Sequence, residues 1–412
     1  MTTTIPDTGY TPAVPAPDTA ARTPRIIALD VTRALAIVGM IAVHSLYIVA
    51  DDGGPTVMYR ISAGHASAAF AVLAGVSISL IAGRRRLTPS PEAAGKAASL
   101  ATRAVIIGII GLLLGYTLPG LGVVILPYYA LMFLLAVPLA FLGTWSLVGL
   151  TVILLVGAPA LSQAVRPHIV DTLGEQLSFG YLFGHPAEFL SSIAFTGEFP
   201  AIVWMTYVCA GMVIGRITLR SARTGGALLA AGLALMFTSA GVSWALWDLA
   251  GGRTAATAGI PSDYASEVLL FGADGVVPTN SWWWLAFDGP HTGTPLDLMA
   301  TLGSTLAVLG AIILAEQGLK GRAHTVMRWV LAPLAAVGTM SLTVYVGHIM
   351  FINSDFDVYG PTSGFVRQLV VIALFALAWH ATAGRGPLEG LVAACTRRAD
   401  ARARARGEHR TN

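Results

Sequence analysis

Apolar runs of about twenty residues recur along nearly the whole of this 412-residue chain, separated by short polar stretches. Within each run the apolar residues are continuous, without the period-two alternation of a membrane-spanning strand. Each run is close to the ~20 residues that a helix needs to cross a bilayer. The pattern predicts helices at roughly 26–49, 61–82, 103–119, 122–142 and 146–164, then at 200–217, 225–247, 296–316, 329–353 and 364–383. The expected fold is all-α, a polytopic membrane protein of about ten transmembrane helices. No internal repeat is visible.

Composition agrees, with 55% hydrophobic residues, 11% charged residues and a mean hydropathy of +0.70. A soluble domain carries about a quarter charged residues, so a large soluble core is excluded. The distribution of charge sets an orientation. With both termini cytoplasmic, the inner segments collect Arg22, Arg25, Arg84, Arg85, Arg86, Lys96, Arg103, Arg216, Arg220 and Arg223, then Lys320, Arg322, Arg328 and the basic end. The outer segments keep only Arg60, Arg166, Arg253 and Arg367, as the positive-inside rule requires. Residues 1–24, rich in Thr, Pro and Ala, read as a disordered cytoplasmic tail. Residues 397–412 read as a basic cytoplasmic tail that orients the chain at the membrane surface. Long outer segments are expected at 165–199, along the membrane surface, and at 248–295, where "SWWWLAFDGP" suits an interfacial aromatic belt. Cys209 and Cys395 fall in a helix and in the tail, so no disulfide framework is implied. The expected location is the cell membrane, as a multi-pass protein.

One phrase in the first helix stands apart, "LDVTRALAIVGMIAVH", from Leu29 to His44. Ionisable groups inside a membrane helix are costly and face a partner or a polar cavity. Eleven residues make about three turns, so Arg33 and His44 share a face, about 16 Å apart along the axis. Asp30 and Arg33, three apart, can pair. A second phrase, "APLAAVGTMSLTVYVGHIMF", spaces Ser341, Tyr345 and His348 along one helical face. Near the same expected depth stand His65, His291, Asp297 and Glu198, the last two also suited to the amino ends of their helices.

These phrases resemble the transmembrane acyltransferase superfamily, in which an arginine and a histidine are separated by ten residues in the first helix. "GHASAAFAVLAGVSISLIAG", "ILPYYALMFLLAVPLAFL" and "FTGEFPAIVWMTYVCAGMVIGR" look like the bacterial relatives of heparan-alpha-glucosaminide N-acetyltransferase. "PHTGTPLDLMATLGSTLAVLG", "PLAAVGTMSLTVYVGHIMF" and "GRGPLEGL" look like the carboxyl half of the YeiB-type family. The resemblance covers about 25–396, as an N-acetyltransferase-like region over 25–220 and a YeiB-type region over 221–396. Ala34 departs from the family phrase, which has glycine after the arginine. The family's proposed catalytic histidine precedes helix two, where this chain has His65; the arginine–histidine spacing favours His44 instead.

The resemblance implies a membrane-embedded acyltransferase that moves an acetyl or other short acyl group from cytoplasmic acyl-CoA to an extracytoplasmic glycan or lipid acceptor. Arg33, Arg103 and Arg84, with Asp30 holding Arg33, are the candidates for the coenzyme phosphates. His44 is the candidate base, or the nucleophile that carries the acyl group, with His348, His65 and Tyr345 as further catalytic candidates. His291, Glu198 and Asp297 are candidates for the acceptor. The alternative reading is a multi-pass transporter, which also places charged and histidine residues within helices. The nine histidines show no metal-ligand spacing, and nothing points to nucleic acid. Oligomeric state is not readable from the sequence.

Overall fold

The computed structural model describes residues 25–170 and 175–411. The expected tail at 1–24 lies outside them. Seven helical segments are long and apolar enough to cross a membrane. They are α1 (Ile27–Ser45), α2 with α3 (Val57–Ser62 and His65–Ile81), α4 (Pro91–Leu114), α6 (Thr144–Val165), α10 (Ala222–Trp244), α13 (Pro295–Gly318) and α16 (Pro361–Thr382). Two bent pairs raise the number to nine. In one, α8 (Pro186–Ser191) and a π-turn lead into α9 (Ala201–Ile214) with a 49° bend; in the other, α14 (Gly321–Gly338) meets α15 (Ser341–Ile352) at 71°. The remaining apolar segment, α5 (Leu126–Leu139), has only 14 residues. The all-α polytopic expectation therefore holds, with seven to nine spans among the described residues and one shorter apolar helix.

The termini of α1, α10, α13 and α14 meet at one end of the bundle, where Arg25, Arg220, His324 and Arg328 surround Glu316 in one hollow. At the opposite end, Leu118 donates to Asn353 (2.9 Å) and Tyr59 to the Phe271 carbonyl (2.8 Å). There the long 165–199 segment folds as α7 (Phe179–Gly184) and α8, and the 248–295 segment as α11 (Gly252–Thr257), α12 (Ser262–Phe271) and a 3-10 turn at Trp282–Ala286. Trp247, Trp284 and Phe287 pack together beneath that turn. At the centre, α3 and α9 cross closely, because Gly75 and Gly211 each leave no room for a side chain against the other helix's backbone.

Three elements depart from the hydrophobic pattern. α4 starts at Pro91 rather than near 103, because the Ser90 hydroxyl accepts the Ala93 N–H (3.1 Å) and Glu92 pairs with Lys96 (2.8 Å). The basic segment at 397–412 continues a helix, α17 (Pro387–Thr411), up to Thr411. It packs along the start of α4, with Gly407 on Pro91 and Gly95 under Asp400 and Arg404. The segment expected as one helix at 329–353 is broken at Thr339–Met340. Gly338 lies so close to α1 that a Cβ there would overlap the Asp30 carbonyl.

That contact is directly testable. Gly338→Ala should lower the thermal midpoint of the purified protein in detergent by the equivalent of about 1–3 kcal/mol, the cost of overpacking. Gly347→Ala on α15, where an added Cβ meets nothing within 4 Å, should leave it unchanged. Equal midpoints for the two variants would show that the α1–α14 crossing is loose.

Candidate functional site

α1 presents Arg33, Met40 and His44 toward the interior in register with α15. Near the basic end, Arg33 pairs with Asp30 at 2.9 Å and donates from Nη2 to the Ser77 hydroxyl of α3 at 2.8 Å. Ser77 passes its own proton to the Leu73 carbonyl (2.7 Å), so it is free to accept. Arg103 of α4 reaches the same space, its guanidinium carbon 5.5 Å from the centre of the Phe133 ring. Its buried Nε has no hydrogen-bond partner. Between these arginines lies a cavity of about 390 Å³, walled also by Tyr129, Ser341, Tyr345 and Glu389.

α15 restarts the chain inside this cavity, which leaves the N–H groups of its first turn without helical partners. The Glu389 carboxylate accepts those of Leu342 (2.7 Å) and Thr343 (3.1 Å), and the Thr343 hydroxyl as well (2.6 Å). From that fixed start, Tyr345 faces the cavity and accepts the Ile125 N–H (3.2 Å), which leaves its own hydroxyl proton free to donate.

One turn further along both helices the histidines meet. His44 Nδ1 lies 3.0 Å from His348 Nε2, and His348 Nδ1 lies 2.7 Å from Gln368 Oε1 on α16. Gln368 donates from Nε2 to the Ser45 hydroxyl (3.1 Å). These bonds set the tautomers. An amide oxygen only accepts, so His348 carries its proton on Nδ1 and accepts on Nε2. His44 then donates from Nδ1, and its Nε2 is a bare lone pair. That atom faces Gly122 (φ 147°), where a Cβ would stand 2.9 Å from it.

The other expected residues take different places. Arg84 does not line the cavity; it sits in the turn after α3, at φ 62°, with its N–H on the Ser79 carbonyl (2.8 Å). His65 turns to α13, with Nδ1 2.8 Å from the Ser304 hydroxyl. Asp297 is buried and accepts the Gly293 N–H (2.9 Å), latching the loop before α13. Glu198 occupies the break before α9, its backbone packed on Gly275. His291, in that loop at φ 54°, packs on Phe199 (5.9 Å), and its buried Nδ1 has no partner. Burial and the neighbouring His65 push its pKa down to about 4, so it is neutral near pH 7.

Residues 25–243, just over half of the chain, match the family described as heparan-alpha-glucosaminide N-acetyltransferase, catalytic. The chain belongs to that family. No curated protein matches it. Membership makes the chain a membrane acetyltransferase by family. The matched heparan-alpha-glucosaminide N-acetyltransferase segment supplies Arg33, His44, Ser77 and Arg103, whereas Tyr345, His348, Gln368 and Glu389 lie beyond it. Half of the site is therefore contributed by helices outside the family match.

Gln368, Ser45, Ser77 and Glu389 escape a reading of the sequence alone. Gln368 is a single amide in an apolar helix, and such an amide inside a membrane helix was itself a signal. Glu389 lies in "GRGPLEGL", where it reads as an ordinary polar residue at a helix start. The relay makes a spectroscopic prediction. With ¹⁵N-labelled histidine, His44 should show the Nδ1–H tautomer in the wild type and a mixture in Gln368→Leu. An unchanged His44 signal in that variant would mean that Gln368 does not set the tautomer.

Proposed function

We propose that this acetyltransferase moves an acetyl or other short acyl group from cytoplasmic acyl-CoA to a glycan or lipid acceptor across a bacterial cytoplasmic membrane. The coenzyme enters from the basic end. Arg33 and Arg103 hold its phosphates through charge-assisted bonds, and the pantetheine arm fills the cavity of about 390 Å³. Arg33 and His44 stand about 16 Å apart along α1, comparable with an extended pantetheine arm. The thioester then arrives beside Tyr345 and His44.

The bare Nε2 of His44 carries this reading. It takes the proton from the acceptor hydroxyl or amine as that oxygen or nitrogen attacks the thioester carbonyl. A carbon–oxygen or carbon–nitrogen bond forms, the carbon–sulfur bond breaks, and the proton held on His44 passes to the departing coenzyme thiolate. His348, held by Gln368, steadies the imidazolium that forms in between. Tyr345 donates its free proton to the carbonyl oxygen as charge develops there. Neutral groups at this end and cations at the other match the chemistry of each half of the donor.

His44→Ala should lose about 10²–10⁴-fold in transfer while acyl-CoA binding in detergent stays intact. Arg33→Ala should weaken that binding about tenfold or more, and Arg84→Ala should not. Arg33→Lys should also weaken it, since a point charge does not replace a fork of donors. Full transfer by His44→Ala would refute the assignment and move the base to His65.

Orientation has its own test. In a Cys395→Ser background, an impermeant thiol reagent applied to intact cells should label Asp52→Cys and not Glu92→Cys. Labelling of Glu92→Cys would reverse the direction of transfer.

A further inference from the structure

On the face of α1 turned away from the donor cavity runs a second, apolar hollow of about 460 Å³. Its walls include Leu35 and Val38 of α1, Met58 and Ile61 beside α3, and Val308 of α13. Leu35, Ile61 and Val308 are exposed there, so the hollow opens sideways, where the chain meets lipid. It leads toward a small polar pocket of about 160 Å³ lined by Tyr59, Asp288, Asp297 and Thr301. Arg60 and His65 line both spaces. An apolar groove, a cation at its mouth and a carboxylate-lined pocket thus follow one another in sequence.

We propose that this composite site binds the acceptor as a lipid-linked sugar, with its apolar chain in the groove, its phosphate at Arg60 and its sugar in the polar pocket. The argument is one of complementarity. A hydrocarbon chain needs an apolar wall open to the bilayer, and the groove supplies it. A phosphate needs a cation where groove and pocket join, and Arg60 stands there. Sugar hydroxyls donate to carboxylates, and Asp288 and Asp297 offer them. A phosphatidylglycerol would also set its phosphate at Arg60, but its glycerol offers the two carboxylates fewer hydroxyl donors than a sugar does. A free sugar would leave the groove unused.

His65 is set for such a ligand. Ser304 spends its proton on the Thr301 carbonyl (2.9 Å), so it accepts from His65 Nδ1. His65 Nε2 is then an unprotonated acceptor at the junction of the two spaces. Beside this junction stands His291, on the loop that precedes α13. Its buried Nδ1 lacks a protein partner. The loop that carries His291 is packed against Gly64, next to His65.

The inference rests on the acyltransferase reading only for the ligand's role as acceptor; binding is measurable without turnover. The probe is a short polyprenyl phosphate carrying one hexosamine, with a diazirine on the prenyl chain, photolysed with the protein in nanodiscs. Crosslinks should concentrate on the peptides that carry Met58, Ile61 and Val308. The unlabelled lipid-linked sugar should compete, and neither free hexosamine nor phosphatidylglycerol should. Arg60→Gln should lower crosslinking about tenfold, the weight of a charge-assisted contact. Val308→Trp should lower it by filling the groove. Both variants should bind acyl-CoA as the wild type does. Crosslinks spread equally over the outward faces of α6 and α16, equal competition by phosphatidylglycerol, or no effect of either variant would overturn the site. Groove crosslinking in a protein that binds no acyl-CoA would uphold the site and overturn the donor reading instead.

Discussion

The crossing of α1 over the end of α14 is the constraint on which the site depends. Gly338 lies on the Asp30 carbonyl with no space for a side chain. Against that backbone α14 ends, and the chain turns by 71° to begin again as α15. A fresh helix start leaves the N–H groups of its first turn without helical partners. Glu389, from the start of α17, takes two of them. The direction of α15 is thereby fixed, and with it the positions of Tyr345 and His348. Since Asp30 also holds Arg33, one crossing sets both ends of the cavity between Arg33 and Tyr345.

From that crossing follows a division of charge along α1. At one end Arg33 and Arg103 bring fixed cations to a cavity wall, with Asp30 and Ser77 holding only the first. At the other end the polar groups are neutral and linked in a single direction, from Gln368 through His348 to His44. In a low-dielectric interior such a chain is stable only when each member has its partner. Its last atom, Nε2 of His44, is the one left open. Arg33 and the open nitrogen of His44 are thus kept about three helical turns apart on one rigid element. The family assignment as a heparan-alpha-glucosaminide N-acetyltransferase relative gives that arrangement its chemical context.

Much of this was legible in the chain. Apolar runs locate the helices because a bilayer leaves a spanning helix few alternatives. The 3.6-residue period places Arg33 with His44, and Tyr345 with His348, on common faces, and the structure brings these pairs to one interior. Other features were not legible. His65 has the same residue type and a similar expected depth as His44, yet it turns to Ser304 on another helix. Arg84 lies only a turn or two beyond Ser77 on the chain, but the left-handed backbone at Arg84 takes it away from the cavity. The arginine-rich end reads from its charge as a basic cytoplasmic tail, and only packing on α4 and the Asp400–Arg404 pair (2.9 Å) reveal it as a helix.

By itself, then, the sequence determined the class of fold, the number of apolar segments and which ionisable residues share a helical face. Each of these follows from local spacing and from solvation by the bilayer. The tertiary structure alone decided that His44 meets His348, that Gln368 sets their protons and that Glu389 anchors α15. It also decided that His65 and Asp297 belong to a separate pocket. Those outcomes depend on contacts between different helices, from 20 residues apart for His348 and Gln368 to 304 for His44 and His348, and helical periodicity carries no information about which neighbour a face will meet.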